Sequence, residues 1–165
     1  MSWKCTVCGR EHNDLPTCFG IEAPWRGLVS ESEFAQRVEL SPDQCVIDGK
    51  TFFVRGHIQI PIHNSPETLA FSVWSSLSEK SFRHMCDRWE TPNRAADPPY
   101  FGWLCSPISC YPNTIHLQLA VRSRAPGEVP LFELEPTNHP LSREQREGIS
   151  IKRWHEIVHQ LVDDL

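Results

Sequence analysis

Two groups of side chains in this chain stand at spacings that chemistry can use. Cys5 and Cys8 are separated by two residues, Gly9 follows, and His12 comes shortly after. Two thiolates at that spacing can grip one tetrahedral metal ion, and a glycine behind the second allows the tight turn that aims backbone N–H groups at the sulfurs. A structural zinc wants four ligands. His12 is the nearest third, while Cys18, Cys45 and His139 compete for the fourth place. Cys18 would close a self-contained loop, whereas Cys45 would staple the N-terminus to the body of the chain. A redox pair fits less well, because a thioredoxin-like CxxC follows a strand and opens a helix. Ordinary thiols without metal remain the plain alternative.

The second group is His155-Glu156-Ile157-Val158-His159, which matches the H-E-x-x-H pattern of zinc proteases. On a helix the two imidazoles lie one turn apart and can share a metal while the carboxylate activates water. The rest of the pattern does not follow. Val162 and Leu165 stand where the extended motif places glycine and a third histidine, and both histidines fall on the flank of the apolar stripe centred on Trp154. A boundary pair of histidines is the better reading, and a zinc-dependent hydrolase is the alternative.

The elements that must position these groups are legible from periodicity. Asp48-Gly49 marks a hairpin between apolar runs at 45–47 and 51–54. Phe52, Val54, Ile58, Ile60 and Ile62 keep one parity, as do Leu69, Phe71 and Val73, and then Ile115, Leu117, Leu119 and Val121. Such alternation predicts an antiparallel sheet with one face buried and one wet. A short strand is expected at 130–135 and a short helix at 31–40. Ser78 opens a helix through Phe82, Met85, Cys86 and Trp89; Ser150 opens another through Ile151, Trp154, Ile157, Val158 and Leu161. A further helical turn is expected from Pro140, stopped by Gly148.

The wet parity of the sheet carries Arg55, His57, Trp74, Ser76 and His116 among others, a set able to bind a ligand: Arg55 an anion anchor, His57 or His116 a proton carrier and Trp74 an apolar contact. His139, before Pro140 and near Arg143 and Arg146, is a further binding candidate. The plain reading is that a sheet simply shows polar residues to water, yet Trp74 is large and apolar for such a face. The run Pro98-Pro99-Tyr100-Phe101-Gly102-Trp103 is aromatic enough to bind a peptide, or it plugs a core edge.

Composition bounds the function. The chain has 165 residues, a formal net charge of −5, six Trp and eight Phe, enough for one domain with a substantial core. The acidic balance, with Glu11 and Asp14 facing only Lys4 and Arg10 near the thiols, disfavours a nucleic-acid-binding knuckle. No apolar run approaches the ~20 residues that span a bilayer, and the start lacks a secretory pattern. Seven cysteines without a paired framework point to a reducing cytoplasm.

At Cys5-x-x-Cys8-Gly9-x-x-His12, Cys45-Val46-Ile47-Asp48, Phe53-Val54-Arg55-Gly56, Val73-Trp74-Ser75-Ser76-Leu77-Ser78, Phe101-Gly102-Trp103-Leu104, Glu133-Leu134-Glu135-Pro136 and His139-Pro140-Leu141, the chain resembles a bacterial family, domain of unknown function 2199. The resemblance covers nearly the whole chain and implies a small cytosolic bacterial protein with no assigned activity. Cys18 stands outside the shared pattern, which favours Cys45 as the fourth ligand. The expectation is therefore one α+β domain over 1–165: a metal-stapled segment at 1–30 with structural zinc on Cys5, Cys8, His12 and Cys45, and a body at 31–165 in which two main helices cover an antiparallel sheet. Its expected role is binding of an unidentified protein or small molecule, without catalysis and away from membranes.

Overall fold

The computed structural model describes residues 16–162 with their side chains, and the backbone of Trp3–Lys4, Glu11–His12 and Asp163. Strand β1 (Trp3–Lys4) pairs antiparallel with β2 (Glu11–His12), placing Trp3 opposite His12. Next come β3 (Cys18–Gly20), helix α1 (Phe34–Arg37), β4 (Val38–Leu40) and β5 (Gln44–Ile47). Two long strands, β6 (Thr51–Pro61) and β7 (Thr68–Leu77), lead into helix α2 (Glu79–Asp87). Then follow β8 (Tyr100–Leu104), β9 (Gln118–Arg122), β10 (Leu131–Leu134), α3 (Pro140–Glu147) and α4 (Ile151–Asp163).

Local chemistry forms these elements as expected in several places. Asp48 and Gly49 both take positive φ, 54° and 62°, in the tight turn between β5 and β6, and Lys50 N–H donates to the Ile47 carbonyl at 3.0 Å. Ser78 caps α2 by accepting from Ser81 N–H at 3.1 Å. Gly148, at φ 78°, ends α3. The region 31–40 departs from expectation: a 3₁₀ turn and the four-residue α1 give way at Val38 to β4, because Phe34 and Val38 supply too little apolar face to sustain a helix.

The expected antiparallel sheet covered by two main helices is overturned. β6, β7, β8, β9 and β10 run as an antiparallel meander, and β10 then lies parallel to β6 with Leu131 opposite His57, which closes a five-stranded barrel. β3 adds to β7, while β5 and β4 extend from β6. Closure depends on β6 having two partners along one edge: β5 pairs its residues 51–54, and β10 meets it at His57. Gly56 marks the changeover. A Cβ there would lie 2.3 Å from the ring of Phe132 on β10, so only glycine lets that ring fill the barrel.

The helices pack at the ends of the barrel instead of over a sheet face. Phe82 of α2 stacks on Phe52 with ring centroids 4.8 Å apart, where Phe52 and Leu77 pair at one end of β6 and β7. At the other end Ile149, between α3 and α4, bridges to Ile62. The parity residues Val54, Ile58, Ile60, Leu69, Phe71, Val73, Leu119 and Val121 are all buried with Phe132, Leu141 and Ile157, whereas Ile115 is exposed and Leu117 half-buried, because the expected strand from 115 begins only at Gln118, after a turn. Each such side chain contributes about 1.5–3 kcal/mol.

The other face of the sheet is not simply wet. Trp25, Val29, Val38, Cys45, Ile47, Phe53 and Trp74 form a second buried cluster, with Phe34 and Cys105 packed against it. Residues 21–38 run over this face as a strap, pinned where Ile21 N–H donates to Ser72 O at 2.9 Å and where Trp74 Nε1 donates to Ile21 O at 3.1 Å, and folded on itself where Trp25 meets Phe34 at 4.5 Å. Among the described residues no helix is long and apolar enough to cross a membrane.

Candidate functional site

Register builds a cleft beside this strap. Cys45, Phe53, Ser76, Trp103 and Gln118 form one row across β5, β6, β7, β8 and β9. Alternation in β8 turns Tyr100, Gly102 and Leu104 inward and Phe101 and Trp103 outward. Phe53, Ser76 and Trp103 therefore share one surface, against which the chain from Gly20 to Leu28 stands as a wall. Cys105, Pro107, Ile115 and His116 close the far side. The resulting cleft holds about 850 Å³, the size of a small-molecule or peptide side-chain site.

Its surface is unusually apolar for one facing water. Leu28 is 58% exposed, and Trp103 and Ile115 are each 39% exposed, all on the cleft walls; Phe101, at 57%, stacks edge-on against Trp103 at 5.1 Å. The polar groups are few. Arg26 bonds Glu22 at 2.8 Å and Glu31 at 2.9 Å, and the Glu31 bond foremost keeps its guanidinium charged. Ser76 Oγ accepts from Trp103 N–H at 3.3 Å. Burial pushes the Cys105 pKa up, and its thiol donates to Trp103 O at 3.2 Å, a setting that favours the neutral thiol. His116 takes φ 73°, a conformation that strains a non-glycine residue, and projects from the bend that precedes β9.

The expected binding residues are only partly gathered. Arg55 and Trp74 are register partners and flank a separate shallow hollow. Both are engaged within the fold: Arg55 donates to Pro42 O at 2.7 Å, Ser72 Oγ at 2.8 Å and Asp43 at 3.3 Å, and Trp74 Nε1 donates to Ile21 O at 3.1 Å. His57 is the next outward residue of β6, half-buried, with its pKa lowered first by desolvation and then by Arg124 and Arg55. His139 lies apart as the cap of α3; its Nδ1 accepts from Leu141 N–H at 3.1 Å, while Nε2 faces Pro112 O and Asn113 O at 3.1 and 3.0 Å.

Of the expected zinc ligands, Cys5 and Cys8 lie outside the described residues, as does the His12 side chain. Cys45 is fully buried among Trp25, Phe53 and Trp74, where burial pushes its thiol up to about 11. That apolar setting favours the neutral thiol in the metal-free chain. Among the described residues no three His, Cys, Asp or Glu side chains gather as a metal site. In α4, His155 and His159 are half-buried, desolvation lowers the His155 pKa, and Glu156 faces Arg153 at 3.8 Å.

Sequence reasoning singled out the aromatic run at 98–103 and, on the polar parity of the sheet, Ser76 and His116, but missed Phe53, Leu28 and Ile115 as their companions. The strict in–out alternation of Tyr100 to Leu104 was the available signal. Over residues 4–149 the chain matches the family described as an uncharacterized protein conserved in bacteria, domain of unknown function 2199, and it belongs to that family. No curated protein and no solved structure matches it.

Proposed function

We propose that this protein is a binding or regulatory domain, without catalysis of its own, whose ligand inserts an apolar or aromatic group between Trp103 and the strap at 20–28. The observation that carries this reading is the convergence of exposed Leu28, Trp103 and Ile115 on one concave surface. Leaving that much apolar area in water forgoes about 25 cal/mol per Å², which a ligand covering it would recover. The few polar groups, Ser76, His116 and Arg26, suit orientation of a ligand more than attack on it. Cys18, Cys45, Cys86 and Cys105 are outside any disulfide, which fits the reducing cytosol proposed as its location.

Titration with the neutral dye N-phenyl-1-naphthylamine tests the reading. Dye fluorescence is expected to rise saturably with the wild-type protein, and Trp103→Ala is expected to weaken binding about tenfold or more without lowering the melting temperature. Equal dye affinity in a folded Trp103→Ala protein would overturn it.

A further inference from the structure

The apolar surface does not stop at the cleft, and its extent names the occupant. Trp103 and Phe101 form a ridge, their rings edge to face at 89°. Beyond it lies a second hollow of about 420 Å³ walled by Pro99, Phe101, Ala120, Leu134 and Pro136. Phe101, Ala120 and Glu133 are register partners across β8, β9 and β10, so this hollow is built on the same outer barrel face. A ligand that covers both hollows must cross the ridge, which compact metabolites do poorly and an extended chain of about six to eight residues does easily.

Charge distinguishes the possible occupants. At the first, Glu22 and Glu31 both lean on the single cation Arg26. At the second, Glu133 is matched by Arg122 at 2.8 Å, and exposed Glu135 has no ion pair among the described residues; nor has Arg146, whose guanidinium donates to Ser142 Oγ at 2.6 Å and Thr137 O at 3.1 Å. The carboxylate in excess therefore stands at the first end, while the second offers Glu135 as a free carboxylate beside one cation. The acidic first end disfavours phosphate-bearing partners, and the net charge of −5 disfavours a second copy of this chain.

Resting on the binding role proposed above, we infer that the ligand is an extended polypeptide segment whose apolar residues fill the two hollows on either side of the Trp103–Phe101 ridge and whose flanking Lys or Arg residues meet Glu22, Glu31 and Glu135. Fluorescence anisotropy with labelled synthetic peptides of about twelve residues tests it. One set carries apolar centres with Lys/Arg flanks, one the same centres with Glu flanks, and one Lys/Arg flanks around Ser centres. Only the first is expected to bind well. Phe101→Ser should weaken it about tenfold, and Glu135→Lys about threefold with a shallower salt dependence. Dye binding in the first cleft should survive Phe101→Ser.

Trp103-dependent dye binding with no peptide binding, or with peptide binding indifferent to Phe101→Ser, overturns the peptide inference and leaves the proposed function standing. Loss of dye dependence on Trp103 overturns the proposed function itself. A dimer that Phe101→Ser dissolves, or a labelled oligonucleotide that binds better than the basic peptides, also overturns the peptide inference.

Discussion

Arg94 is 5% exposed, has no acid against it, and is held entirely by carbonyl oxygens: those of Trp89, Arg124, Ala125 and Glu128, at 2.6–3.0 Å. One guanidinium thereby ties the segment after α2 to the turn between β9 and β10, with Trp89 stacked 5.1 Å from it. Arg94→Met leaves those carbonyls without their charged donor, and a loss of about 3 kcal/mol is expected in urea unfolding. At His57 the folded pKa lies below the ordinary 6.5, so the unfolded chain binds the proton first. Stability from this site is complete above 6.5 and declines as pH falls from there toward the folded value. Unfolding measured between pH 7 and 5 should show a smaller acid loss in His57→Gln, with His155 contributing a residual loss of the same sign. Buried Cys45 carries a third expectation: Cys45→Val leaves the zinc content of untagged protein unchanged by metal analysis, and loss of zinc would contradict its placement in the apolar cluster.

Among the elements, β6 decides the architecture. Its apolar parity was readable because Phe52, Val54, Ile58 and Ile60 alternate, broken only by Gly56 and continued by Ile62 just beyond the strand, and all five apolar residues are buried. The capping serine of α2 and the Asp48-Gly49 turn were readable for the same reason: each acts on its immediate neighbours. Closure was not readable. It rests on Leu131 meeting His57 in parallel, a contact between distant residues that periodicity does not encode. A glycine such as Gly56 lets a strand bend, but its partner Phe132 lies far along the chain. Gly56→Ala should therefore destabilise by about 3 kcal/mol, since the added Cβ meets the Phe132 ring. Combining it with Phe132→Leu should cost less than the sum of the two changes, which thermal melts of the single and double variants would check.

At the scale of the whole molecule, the barrel turns one face inward around its main core and leaves the other to be divided. The strap covers Phe53, Cys45 and Trp74, and its edge stops short of Trp103. The sequence marked Trp74 as too apolar for a wet face, which was correct, but the strap's Trp25 and Val29 have no periodicity that announces a cover. The same limit hid the cleft, whose walls come from 20–28, β8 and 115–116. The most direct test is the indole N–H region of the ¹⁵N-NMR spectrum during titration with a basic-flanked apolar peptide, the Trp103 signal being assigned by its loss in Trp103→Phe. The Trp103 resonance is expected to shift with saturation, while Trp154, buried and bonded to Pro16 O at 3.0 Å, stays in place. A bound peptide that leaves the Trp103 resonance unmoved would contradict the account.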